Sequence, residues 1–253
     1  MTHLYLIRHG EAVANVEPIL AGMHGDAGLT KLGVAQAEAL RDRLRESHEI
    51  RADVLIASTL PRARQTAEII APALELPIQF DDAVQELNVG EADGLSVGDF
   101  KAKYGLVDFR QQPFHPIAPG GEFWGSFVLR VAVALDRITR EHEGKTVVVV
   151  CHGGVIDASF MIFFAMNTLT FPNAEFHTHN TSITHWERVV GDNGSARWRM
   201  HGYNDDVHLR AVGRNDHVQW DDVPPTATEE RDHPAVPLSP ESQHRADDAS
   251  HAH

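Results

Sequence analysis

Two short stretches carry the side chains most able to do chemistry: "RHGE" at positions 8–11 and "CHGG" at positions 151–154. Each follows an apolar run, "LYLI" and "VVVV", and each sets a histidine directly before a glycine. A third stretch, "STLPRARQTA", supplies Arg62. If the chain gathers Arg8, Arg62, His9 and His152, they form a cationic pocket for a small dianion. Planar guanidinium groups match phosphate oxygens in bidentate fashion. Asn15, one turn past the first stretch, adds an amide donor. Gly10 and Gly153 permit a tight turn and a close backbone approach to a ligand. A site that only bound phosphate would not need histidine twice. A neutral imidazole with one nitrogen donating to a backbone carbonyl keeps the other for attack on phosphorus. Transfer from an alcohol also needs an acid to protonate the departing oxygen. Glu86, in "VQELNVGEADG", fits that part, with Glu91 nearby as a competing loop acid.

The elements that must position these residues alternate between strand and helix. "HLYLI", "DVLIAS", "PIQF" and "KTVVVVC" read as strands, the first and last as runs buried on both faces. Between them, Leu32, Gln36, Leu40 and Leu44 mark one helical face with Thr30 as N-cap, and "PRARQTAEIIAPAL" has Pro61 in its first turn. The stretch 81–119 is irregular, with one short helix in "VGDFKAKYG". A long amphipathic helix follows in "GEFWGSFVLRVAVALDRITREHEG", with Trp124, Val128, Val131, Leu135 and Ile138 inward. A helix after "CHGG" runs to about Met166, and two strands, "TSITHWER" and "SARWRMHGY", come last. This alternation implies an α/β fold with a largely parallel sheet covered on both faces. Ligands of such sheets bind beyond the carboxyl ends of the strands. His9 and His152 are therefore expected there, each beside a helix N-terminus that favours anions.

The 253 residues suffice for one sizeable core, and the expected domain spans 1–213. Residues 214–253 lose periodicity and are expected to form an acidic, disordered tail containing proline and histidine. The net charge of −14 disfavours nucleic acid and anionic membrane surfaces as partners, although much of it lies from Asp221 onward. Cys151 is the single cysteine, so no intrachain disulfide can form. The N-terminus lacks a basic segment followed by an apolar one, and no stretch has the apolar length to span a bilayer. The expectation is a soluble, cytoplasmic protein. An edge strand of its sheet could pair two subunits into a homodimer.

The chain resembles the phosphoglycerate-mutase-like histidine phosphatase superfamily. The resemblance rests on "RHGE" with Asn15, "LTKLGVAQA", "STLPRARQTA", Glu86 in "ELNVGEADG", "PGGE", "CHGGVI", "NTSIT" and "YNDDVHL", in that order over residues 3–210. One "RHG" is weak; the ordered set is specific. It implies a three-layer α/β/α sandwich. It also implies that His9 is the nucleophile that becomes phosphohistidine. Arg8, Arg62 and His152 would hold the phosphoryl oxygens, helped by Asn15 and backbone N–H groups such as that of Gly153. Glu86 would protonate the leaving alcohol and then help water attack. Neither metal nor cofactor is implied, because cationic side chains supply the charge stabilisation. One departure is "GMHGDAGLT", with an extra residue between Gly22 and Asp26 and Gly28 where proline is common. That loop is expected to line the substrate side.

Mutases of this family carry a long, arginine-containing insertion after the acid glutamate. Here the span from Glu86 to Gly120 holds only Lys101, Lys103 and Arg110 as Lys or Arg. The expected activity is thus a metal-independent phosphomonoesterase, of histidine acid phosphatase type, acting on a small phosphorylated substrate. Mutase-type transfer and a non-catalytic phosphate-binding domain are the alternatives. "FHP", Trp124 and Phe127 suggest an aromatic outer pocket and a less anionic leaving group. A cysteine-phosphatase loop would need arginine six positions after Cys151, where Asp157 stands. His177, His179 and His185 suggest a metal only weakly, since no acidic cluster accompanies them.

Overall fold

The valines of "KTVVVVC" sit near the middle of a six-stranded sheet. The computed structural model describes residues 1–169, 171–172, 176–192, 194–214 and 222–226. Its strands are β1 (Thr2–Arg8), β2 (Val54–Ala57), β3 (Ile78–Phe80), β4 (Thr146–Cys151), β5 (Ile183–Val190) and β6 (Ala196–Asp205). They lie in the order β3-β2-β4-β1-β5-β6. The first four are mutually parallel, and β5 and β6 add an antiparallel pair beside β1.

Because side chains alternate across a strand, β4 feeds both faces. Val147, Val149 and Cys151 join one core cluster and Val148 and Val150 another, all fully buried. Helices α2 (Lys31–Ser47) and α3 (Pro61–Leu74) cover the second face, through Leu40, Leu44, Ala63 and Ile70. Helices α5 (Trp124–Glu141) and α6 (Gly153–Phe163) cover the first, through Val128, Val131, Leu135, Val155 and Ile156. The result is the expected three-layer α/β/α sandwich. Thr30 caps α2 by accepting from Gly33 N–H at 3.0 Å, and Pro61 opens α3.

Over the carboxyl ends of the parallel strands lies a cap with its own apolar cluster. It includes Leu20, Val89, Val97 and Phe100, and it is built on α4 (Val97–Tyr104). Val223 packs against this cluster, and Thr226 N–H donates to Gly98 C=O at 3.0 Å. Of the rest of the expected tail, only Arg214, Asp222, Pro224 and Pro225 are among the described residues.

Two expectations change. The "RHGE" segment does not turn straight into a helix: only the four-residue α1 (Val13–Val16) follows it, and it is separated from α2 by a loop. The reason is packing. The segment runs across α2, where a Cβ on Gly33 would stand 1.9 Å from Glu11 C=O. A Cβ on Gly10 would stand 2.5 Å from Gly33 C=O. The close approach that Gly10 permits is therefore to another backbone segment rather than to a ligand. Helix α5 also starts at Trp124, because Pro119–Gly121 form a turn in which Gly121 N–H donates back to Ala118 C=O.

Candidate active site

Strand register brings the two histidines together. Arg8 stands opposite Cys151 in the parallel β1–β4 pairing, so the next residue of each strand emerges at the same height. His9 and His152 end with ring centroids 5.2 Å apart, His9 almost buried and His152 wholly so. Arg62 enters from the first turn of α3, behind the neighbouring strand β2.

His9 is held in one orientation. Its Nδ1–H donates to Gly10 C=O at 2.7 Å, so its Nε2 carries the lone pair, which accepts from Arg62 Nε–H at 3.1 Å. The backbone around it is fixed as well. Asn180 Nδ2 donates to His9 C=O at 2.9 Å, and Gly10 N–H donates to Thr66 Oγ1 at 3.0 Å.

Arg62 is anchored by a residue that pattern reading passed over. Asp26, its side chain fully buried, accepts from Arg62 Nη1 at 2.8 Å and from Arg62 N–H at 3.2 Å. Its other oxygen accepts from Gly28 N–H at 2.8 Å. The unusual loop that carries Asp26 wraps around a second acid. Asp93 accepts from the N–H groups of Gly22, His24 and Gly25, each at 2.8 Å. The extra residue is thus absorbed by a carboxylate-centred turn, and, against the expectation that this loop lines the substrate side, none of residues 22–30 lines the cavity of the site.

His152 is the N-cap of α6. Its Nε2 lies 2.7 Å from Ser58 Oγ, which also accepts from Leu60 N–H at 3.3 Å. The Ser58 hydroxyl can donate to Nε2 while accepting from Leu60, and in that arrangement the ring proton sits on Nδ1. That buried nitrogen has no hydrogen-bond partner in the protein. In that arrangement His152 is a neutral imidazole that presents Nδ1–H as a donor. Burial holds its pKa well below the usual histidine value, and the charges of Arg62, His9, Arg8 and Arg130 act in the same direction. Ser58 had no signal of its own in the sequence beyond its place at the end of "VLIAS".

Two more histidines share this behaviour. Burial, then the charges of His201 and His3, lowers His185 to about 4. Burial, then Arg43, lowers His208 to about 4. The unfolded chain protonates all three near pH 6.5, so it binds more protons than the folded one below that pH. Stability should therefore fall as pH drops from about 6.5 towards 4. Each histidine contributes at most about 1.4 kcal/mol per pH unit, and partial exposure reduces the shares of His185 and His208. A urea midpoint lower at pH 5 than at pH 7.5 is the expected result; a midpoint unchanged or higher at pH 5 would contradict it.

Arg8 donates through Nη1 to Thr178 C=O. Burial lowers its pKa, while the carboxylates of Glu86 and Asp157 raise it. Glu86 reaches the start of α6. Its Oε2 accepts from Gly154 N–H at 3.0 Å and its Oε1 from Leu87 N–H at 3.0 Å. Gly154 leaves room for that approach, since a Cβ there would lie 2.2 Å from Glu86 Oε1 and the carboxylate would have to move. Gly153 sits beside the Arg8 guanidinium, where a Cβ would meet it at an ordinary 3.7 Å. The close approach therefore falls one residue later than expected. Asn15 accepts through Oδ1 from Ala12 N–H at 2.9 Å, leaving its NH2 as the end able to donate to a ligand.

Arg8, His9, Asn15, Arg62 and Glu86 all line one cavity of about 330 Å³. Glu91 does not; exposed, it accepts from Tyr104 O–H at 3.2 Å, which separates the two candidate acids. Arg64 is also exposed and pairs with Glu68 at 3.1 Å. The outer wall is aromatic, as expected, but of the expected residues only Trp124 contributes. Trp124 lines it with Phe109 and Phe171, whereas Phe127 is core and Phe114 is 63% exposed away from the cavity. Cys151 is buried and its thiol is pushed up by that burial, so it is no nucleophile. His177 and His179 lie in a loop, His179 paired with Asp206 at 2.7 Å. Among the described residues no group of three or more His, Cys, Asp or Glu could hold a metal ion, and no helix is long and apolar enough to cross a membrane.

The chain was compared with known proteins. The family described as "Histidine phosphatase superfamily (branch 1)" matches residues 4–206. A 2,3-bisphosphoglycerate-dependent phosphoglycerate mutase of Methylobacterium sp. (strain 4-46) is 33% identical over 182 residues, covering 69% of this chain and 86% of the relative. A metal-independent phosphoserine phosphatase of Arabidopsis thaliana is 30% identical over 219 residues, covering 84% and 85%. The solved structure of Bacillus stearothermophilus YhfR aligns with a TM-score of 0.69 at 30% identity, over 83% of this chain and 100% of that one. With its paired strand-end histidines, its buried arginine and a matched span covering most of the sequence, the chain belongs to the histidine phosphatase superfamily.

Proposed function

We propose that the protein is a phosphomonoester hydrolase that works through a phosphohistidine on His9. The observation that carries this reading is the tautomer of His9. Its proton is committed to Gly10 C=O, and its Nε2 lone pair stands beside Arg62, where a phosphoryl group would be held.

In the first step the Nε2 lone pair attacks phosphorus and the bond from phosphorus to the alcohol oxygen breaks. Glu86 gives its proton to that oxygen. Arg8, Arg62 and the His152 Nδ1–H steady the charge on the phosphoryl oxygens. In the second step water attacks phosphorus, the N–P bond breaks and Glu86 takes a proton from the water. Phosphate leaves and His9 is restored. Hydrolysis rather than mutase-type retention is supported by the cap. Lys101 donates to Val223 C=O at 2.5 Å and Lys103 lies over the Tyr104 ring at 4.7 Å, so neither grips a second anionic group.

The test is incubation with phosphomonoesters in EDTA, following free phosphate and acid-labile protein phosphate. Hydrolysis with a trapped phosphoenzyme is expected. Glu86→Gln should lower turnover of alkyl esters roughly 10²–10⁴-fold and affect nitrophenyl phosphate much less, because nitrophenolate departs without a proton. Equal losses for both substrates would remove Glu86 from the acid's role.

A further inference from the structure

We infer that the alcohol half of the substrate is bulky and apolar, an aryl-bearing or long-alkyl group without a carboxylate or second phosphate. This rests on the hydrolase reading above and concerns the same cavity. The inner end of the cavity is polar and cationic; its outer end is neither. Trp124 meets Phe171 edge-on with centroids 4.6 Å apart, and Phe109 lies 6.4 Å from each. Leu20, Leu87 and Val89 complete that wall.

The cations that could change its character are occupied elsewhere. Arg8 and Arg62 belong to the phosphoryl cradle. Arg130 is bound by Glu122 at 2.7 Å and by the carbonyls of Ala83, Gln85 and Glu86 at 3.0–3.1 Å. Arg110 is exposed and lies over Phe171 at 5.5 Å, and it does not line the cavity. A carboxylate on the leaving group would shed water against this wall and meet, among the described lining residues, no cation beyond the Arg8 and Arg62 of the phosphoryl cradle. An apolar group there would gain from leaving water. The phosphoserine and phosphoglycerate in the names of related proteins carry just such a carboxylate. By this argument the present chain takes a different class of ester.

The test uses alkyl esters whose alcohols are similarly acidic, so that the wall decides rather than the leaving group. Phenethyl phosphate and heptyl phosphate are compared with O-phosphoserine and 3-phosphoglycerate on the full chain. A kcat/KM at least tenfold higher for the apolar esters is expected, expressed mainly in KM. Phe109→Arg should shift that ratio at least tenfold towards the carboxylates. Carboxylates turned over as well as or better than the apolar esters would overturn this inference and leave the hydrolase reading standing. No turnover of any ester and no phosphoenzyme would instead overturn the parent reading, and this inference with it.

Discussion

His9→Ala should abolish the trapped phosphoenzyme and lower kcat by roughly 10⁴-fold or more. The size follows from what the side chain does. It is the atom that would bond to phosphorus, so its loss removes the covalent route rather than weakening one contact. The residual rate comes from the cradle, which survives. Arg62 keeps its bonds to Asp26 and Ala21 C=O, and Arg8 keeps its bond to Thr178 C=O. Vanadate or phosphate should therefore still bind the variant, within about tenfold of the wild type, each tenfold being about 1.4 kcal/mol. Stability should drop by only about 1–3 kcal/mol, because a nearly buried side chain with one backbone bond is removed. The separation matters: binding kept and chemistry lost identifies a nucleophile, whereas a structural histidine would lose both together. Turnover within tenfold of the wild type, measured with rapid-quench trapping alongside, would show that phosphorus never bonds to His9.

That this residue could be placed at a strand end from its neighbours shows which parts of the molecule are written locally. A strand buried on both faces announces itself as an unbroken apolar run, and a helix by the spacing of its inward residues. The ends of β1 and β4, and hence His9 and His152, could be placed because both runs stop on the same motif. Parallel pairing then did the rest, since Arg8 stands opposite Cys151. What depends on contact between distant segments was not legible in this way. The direction of β5 and β6 is decided by pairing with β1, not by their own alternation. The short α1 reflects the packing of Glu11 on Gly33. Phe109 and Phe171 read as ordinary loop aromatics until the cap folds over the strand ends. Ser58 and Asp26 are common polar residues in turns, and only the three-dimensional structure shows which imidazole and which guanidinium they hold.

Asp26 gives the second large effect, because its consequence is buried. Asp26→Asn should destabilise the fold by about 3–5 kcal/mol, the cost of leaving a buried charge without its partner. Arg62 is 5% exposed, and among the described residues no other carboxylate is bonded to it. The amide also cannot satisfy its surroundings. One oxygen of Asp26 faces Gly28 N–H and the other faces Arg62 Nη1 and Arg62 N–H, so an NH2 group placed at either end meets a donor. Turning that NH2 towards Gly28 is the lesser penalty, and Arg62 is then left with a neutral acceptor. The same guanidinium donates to His9 Nε2, so any shift moves both the proposed phosphoryl cradle and the proposed nucleophile. A fall of about 10²–10³ in kcat/KM follows, the scale of losing one preorganised donor to transition-state charge. Vanadate inhibition should weaken at least tenfold in the same variant, which a purely global loss of stability would not produce in protein shown to be folded at the assay temperature. Denaturant unfolding, substrate kinetics and vanadate inhibition on one preparation decide it. A variant within about 1 kcal/mol of wild-type stability and within threefold in kcat/KM would mean that Arg62 is held by something other than this carboxylate.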